Sequence, residues 1–108
     1  MTRTTSTDVV LADFLNRIEA VRPMIDRLIL FGSRARGDHR PDSDYYLLIV
    51  AHRDPGLLDT LYDAVIDVRL THGRLVSLKV LDQRELERLR ALATPFVNRV
   101  SAEGVPVG

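Results

Sequence analysis

The sequence predicts an α/β fold in which a small mixed sheet of about three strands is covered by helices. Short apolar runs that read as buried strands alternate with longer stretches whose apolar residues fall at helical spacing. Cap-forming side chains stand at the starts of those longer stretches, and glycine or proline stands near their ends. The predicted order is α-β-β-α-β-α-α. With 108 residues the chain is expected to form a single domain spanning positions 1–108.

Ser6, Thr7 and Asp8 offer N-cap oxygens ahead of the first periodic stretch. Val10, Leu11, Phe14, Leu15, Ile18 and Val21 form one apolar stripe, and Pro23 closes that helix. Arg27 to Phe31 is a buried strand that ends at glycine. Residues 32–42 carry two glycines and a proline among polar residues, so they read as loop with one helical turn. Tyr45 to Val50 is the second buried strand.

Asp54-Pro55 is a cap followed by a first-turn proline. The helix it opens runs through Leu58, Leu61, Val65 and Val68 and stops near Gly73. Leu75 to Leu81 is a third strand. Asp82 and Glu85 have capping-box spacing and open a helix holding Leu86, Leu89 and Leu92. Thr94-Pro95 starts a last helix with Phe96, Val97 and Val100, which Glu103-Gly104 ends.

Composition narrows the partners. Fifteen basic and 15 acidic residues give a formal net charge of zero. A long nucleic acid needs a net or clustered positive field. Arg34, Arg36 and Arg40 are interleaved with Asp38 and Asp42, so such a substrate is disfavoured while a single nucleotide is not. The absence of cysteine excludes disulfides and thiolate metal sites. No apolar run approaches the roughly 20 residues of a membrane-spanning helix, so no membrane partner is expected and the default compartment is the cytoplasm. Homo-oligomerisation stays open.

Chemistry concentrates in Leu28 to Val50, LILFGSRARGDHRPDSDYYLLIV. A strand runs into Gly32-Ser33 and then into a turn. Glycine permits close approach of a phosphate, and a helical start adds partial positive charge. Ser33 adds a hydroxyl, and Arg34 and Arg36 are candidate phosphate clamps. After ten intervening residues the chain returns as Asp44 at the entrance of the next strand. A carboxylate beside a phosphate-binding corner is a usual way to bring in Mg²⁺.

These residues resemble the signature of the polymerase-β-like nucleotidyltransferases, a Gly-Ser followed by an acid-x-acid pair on a strand. GSRARGD through DSDYYLLIV is most similar to the minimal nucleotidyltransferases of prokaryotes, and PFVNRVSAEGVPV extends the likeness toward the end of the chain. The resemblance implies nucleotidyl transfer from ATP or another nucleoside triphosphate with Mg²⁺. It implies a triphosphate held at Gly32 and Ser33 and a metal held by Asp44.

The pattern breaks at position 46, where the second acid should share a strand face with Asp44 and tyrosine stands instead. A phenol is neutral at about pH 7 and a poor ligand for Mg²⁺. The position of a third acid falls on Ser77. Asp42 has the i, i+2 spacing to replace the lost charge, but it follows Pro41 in the loop. The expectation is a retained nucleotide corner with a degenerate metal site and impaired or absent catalysis.

Proteins of this resemblance are commonly antitoxins paired with a helical HEPN-type toxin, to which they can transfer AMP. The first functional reading is therefore a binding antitoxin. The second is an active Mg²⁺-dependent transferase acting on a protein or small molecule. Elsewhere the bland readings hold: Tyr62 as packing, Lys79 at a solvated edge, His52 and His72 as solvated or cap residues. Of Tyr45 and Tyr46, one faces the core and the other the cleft.

Overall fold

A computed structural model describes residues 8–108 of the chain. Helix α1 (Val9–Arg17) is capped by Asp8, whose carboxylate accepts the Leu11 N–H at 2.9 Å. Ser6 and Thr7, the other cap candidates, lie outside the described residues. The predicted stripe is present, with Leu11, Phe14 and Ile18 buried, but the α-helix ends before Val21. Glu19–Met24 instead forms a 3-10 segment that contains Pro23. Proline lacks the N–H for an i→i−4 bond and its ring crowds the carbonyl one turn back, which favours the tighter winding.

The segment leads into β1 (Ile25–Phe31), the one-turn helix α2 (Ser33–Arg36), β2 (Tyr45–Ala51) and helix α3 (Pro55–His72). Asp54 caps α3 through the Leu57 N–H at 3.1 Å, and Gly73 closes it in the left-handed region. Strand β3 (Val76–Leu81) precedes α4 (Gln83–Ala91), which carries the expected capping box. Asp82 accepts the Glu85 N–H at 2.8 Å, and Glu85 accepts the Asp82 N–H at 3.0 Å. Helix α5 (Pro95–Glu103) then runs directly into a short strand β4 (Val105–Pro106).

The sheet has the order β3-β2-β1-β4. Strands β1 and β2 are antiparallel, β2 and β3 parallel, and β4 pairs antiparallel with β1. A two-residue fourth strand joins the expected three at the edge of the sheet. Its two residues are too few to show period-two alternation, and proline reads as a breaker. Pro106 is tolerated because β4 is an edge strand. Anchoring continues past it, with the Val107 N–H donating to Leu28 O at 3.0 Å and the Val107 side chain buried.

Strand β2 is central and buried on both faces. Leu47, Ile49 and Ala51 join Leu28, Leu30, Val76 and Val80 under α1 and α3. Leu48 and Val50 join Phe31, Leu81 and Leu86 on the other face, with Phe96 and Val100 of α5 packed against them. Burial of each large apolar side chain is worth about 1.5–3 kcal/mol, so the continuous run Leu47 to Val50 anchors the sheet. On the second face Tyr46, near the start of β2, stays 39% exposed.

Helix α5 ends at Gly104 as the sequence predicts, with an extended backbone there; φ is −67° and ψ is 139°. Glycine is required there by close approach. An added Cβ would meet the Val100 carbonyl oxygen and come within 2.8 Å of Ile29 Cγ2. Tyr62, expected as packing, is exposed on α3 with Ile66 and Leu70, because Leu61, Ala64 and Val68 form the inward side. His72 is more than a cap residue: its Nε2 lies 2.8 Å from Asp13 Oδ2 and ties the end of α3 to α1.

Candidate functional site

Gly32 turns the chain out of β1 with φ 82° and ψ −162°, a region that essentially only glycine enters. The β1/β2 register pairs Phe31 with Tyr46, so continuing it would set Ser33 opposite Asp44. The return of the chain thus brings the Gly-Ser corner and the acid to the same end of the sheet. Tyr46 has Ser77 as its Cα partner on β3, so the two non-acid positions are neighbours. Asp44 is half-buried and enters no ion pair among the described residues. Asp42 is exposed in the preceding turn.

A cleft of about 380 Å³ opens at this corner, lined by Phe31, Gly32, Ser33, Arg36, Tyr46 and Arg99. Its floor is aromatic: the Phe31 and Tyr46 ring centroids lie 5.8 Å apart, and Phe96 meets Phe31 edge-on at 5.5 Å. Of the adjacent tyrosines, Tyr46 faces the cleft, whereas Tyr45 is buried and donates its hydroxyl to the Asp8 carboxylate at 2.9 Å. Burial, followed by that hydrogen bond, pushes the Tyr45 pKa up to about 12.

The two candidate clamps have different fates. Arg34 is not in the cleft lining. Its guanidinium donates to Ser43 O at 3.0 and 3.2 Å and to Pro41 O at 3.1 Å, and it stacks over the Tyr45 ring at 4.2 Å. It therefore braces the loop that delivers Asp44. Arg36 does line the cleft, but Nη1 donates to both oxygens of Glu103 at 3.0 Å and Nε to Asp38 at 3.1 Å. Asp38 first, then Glu103, raises its pKa further above the ordinary arginine value.

Glu103 also accepts the Gly32 N–H at 2.9 Å. The carboxylate of α5 thus occupies a backbone donor of the corner, a contact that sequence reading missed. Arg99, one turn earlier on α5, was missed as well. Their i, i+4 spacing on a predicted helix was visible, but nothing local showed which way that helix would lean. Helix α2 has only four residues, so its aligned peptide dipoles add little positive field.

Mg²⁺ is best held by several oxygen ligands in near-octahedral array. Among the described residues no three His, Cys, Asp or Glu side chains converge in a way that could hold a metal ion. No helix there is long and apolar enough to cross a membrane.

The sequence profile of the nucleotidyltransferase domain matches residues 11–98, from α1 into α5. The chain belongs to the nucleotidyltransferase domain family. Members of this polymerase-β-like family typically use Mg²⁺ and a nucleoside triphosphate. Solved structures agree on the nucleotidyltransferase fold. A candidate nucleotidyltransferase from Sulfolobus solfataricus superposes with a TM-score of 0.54 at 20% identity, covering 90% of this chain and 75% of that one. A toxin–antitoxin structure with AMP-PNP gives 0.54 at 16% identity, over 88% of this chain and 69% of the other. A mutant of the MntA–HpeT toxin–antitoxin gives 0.52 at 14% identity with the same two coverages. No protein of curated function matches the chain.

Proposed function

We propose that this nucleotidyltransferase-family chain is an antitoxin that acts mainly by binding a helical HEPN-type toxin, with the nucleotide corner kept and the metal site degenerate. The observation that carries the reading is Tyr46. It stands on the strand face where a second acid would lie and lines the cleft beside Gly32. A neutral ring there contributes neither charge nor a carboxylate ligand. Ser33 and Gly32 hold the phosphates of ATP or another nucleoside triphosphate, and Asp44, helped at most by Asp42, is the remaining acid.

The size of the effect follows from charge. One charge pair at about 4 Å and an effective dielectric of about 20 is worth roughly 4 kcal/mol. Loss of that term in the transition state slows transfer by about a thousandfold. The toxin–antitoxin neighbours support a protein partner, and the AMP-PNP in one of them supports a nucleotide ligand. A formal net charge of zero also suits a protein better than a polynucleotide.

A second reading is kept because Asp44 is unpaired among the described residues and lies at the corner. It is a Mg²⁺-dependent AMP transferase that modifies a protein or small-molecule acceptor. Coexpression with the product of the adjacent gene, followed by intact mass of both chains, separates the two. A stable complex without added mass supports binding alone, and an AMP increment on the partner establishes transfer. A radiolabelled-ATP assay comparing the chain with Tyr46→Asp tests the degenerate site. Equal rates would remove that part of the reading.

A further inference from the structure

Two arginines line the cleft, and their charges are not equally available. Arg36 already faces two carboxylates, Glu103 at 3.0 Å and Asp38 at 3.1 Å, so the group of three carries a net negative charge. Arg99 is exposed on α5 and enters no ion pair among the described residues. Its natural partner by helical spacing is Glu103, four residues on. That carboxylate is turned away to the Gly32 N–H and Arg36. The arrangement leaves one uncompensated guanidinium on the wall of the cleft that Gly32 and Ser33 also line.

We propose that Arg99 is the cation that contacts the phosphates of a nucleoside triphosphate in this cleft, and that Glu103 keeps it available by engaging Arg36 and the corner amide instead. The inference rests on the nucleotide reading above. A guanidinium at this place forms charge-assisted hydrogen bonds to phosphate oxygens, which are stronger than neutral ones. Arg36 then acts as a structural link between α2 and the end of α5, and Arg99 sets the preference for a polyphosphate over an uncharged nucleoside.

The test is titration calorimetry of the full chain with ATP in the presence of Mg²⁺, and separately with tripolyphosphate. The variants are Arg99→Gln, Arg99→Lys and the charge-matched control Arg84→Gln, which alters an exposed residue of α4 outside the cleft. Arg99→Gln is expected to weaken both ligands about tenfold or more, with Arg99→Lys recovering much of the loss and Arg84→Gln matching the wild type. An unchanged thermal midpoint for Arg99→Gln assigns the loss to binding. Wild-type affinity for both ligands in Arg99→Gln overturns the assignment while the nucleotide reading stands. Weaker ATP but unchanged tripolyphosphate binding also overturns it, since Arg99 would then touch base or ribose. If the wild type binds neither ligand, the nucleotide reading falls and the assignment falls with it.

Discussion

The ring of Tyr46 rests against the backbone of Gly32, so that a Cβ built on the glycine would come within 3.1 Å of Tyr46 Cδ2. The register explains the contact, because Phe31 is the Cα partner of Tyr46 and Gly32 is the next residue. Position 46 therefore brings an aromatic ring, not a carboxylate, against the corner. The cleft of about 380 Å³ opens over the Phe31 and Tyr46 rings.

Gly32→Ala is expected to destabilise the fold by about 1–3 kcal/mol, because φ 82° with ψ −162° is strained for any residue with a Cβ. Urea unfolding measures it. In a Tyr46→Ala background the ring contact is gone and part of the penalty is relieved, while the backbone part persists. A double-mutant cycle with no coupling between the two positions would contradict the packing described.

Tyr45 gives an alkaline signature. Its folded pKa is raised to about 12, first by burial and then by the Asp8 hydrogen bond. A raised pKa favours the protonated folded state. The stabilisation is fully present below the unfolded value of about 10 and is lost as pH rises through the folded value. Ultraviolet difference titration should show one tyrosine ionising near pH 12, absent from Tyr45→Phe. That variant should also lose less stability than the wild type across the same alkaline range.

Much of this fold was legible because its signals are local. Apolar runs marked β1, β2 and β3, and the caps Asp8, Asp54, Asp82 and Thr94 mark the starts of four helices. Gly32, Ser33 and Asp44 could be grouped because a hairpin-like return is itself short-range information. What failed was long-range or too brief. Strand β4 has two residues, and its partner β1 lies far back in the chain. Glu103 reaches Gly32 across 71 positions and Arg36 across 67, and no periodicity encodes such a contact. Where the Arg34 guanidinium goes depends on the path of residues 41–43, whose carbonyls it meets, and residue types alone do not encode that path.

Gly104→Ala tests the last turn of α5. The backbone there is one that alanine adopts freely, so any cost is steric. The obstacles are a backbone carbonyl, which cannot move aside, and Ile29 Cγ2. A loss of about 1–3 kcal/mol is expected, with hydrogen exchange at Val107 rising as β4 loosens from β1. Ile29→Val does not help if Cγ2 is retained, whereas Ile29→Ala should recover some of the loss. An unperturbed Gly104→Ala would show that α5 and β4 are joined more loosely than drawn.

Glu103 makes the sharpest separation between stability and binding. Its side chain is 17% exposed, accepts the Gly32 N–H and pairs with Arg36. Glu103→Ala leaves a half-buried amide without its acceptor. Charge-assisted hydrogen bonds contribute about 1.5–3 kcal/mol, discounted here because Arg36 is substantially exposed. A loss of about 1–2 kcal/mol is therefore expected in Glu103→Ala, and less in Glu103→Gln, which keeps one acceptor oxygen. Anion binding should move the other way. The same substitution releases the Gly32 amide and Arg36 and removes a negative charge from the corner, so tripolyphosphate should bind more tightly to the less stable protein. If stability and affinity fall together, Glu103 is shaping the site for the ligand rather than occupying its donors.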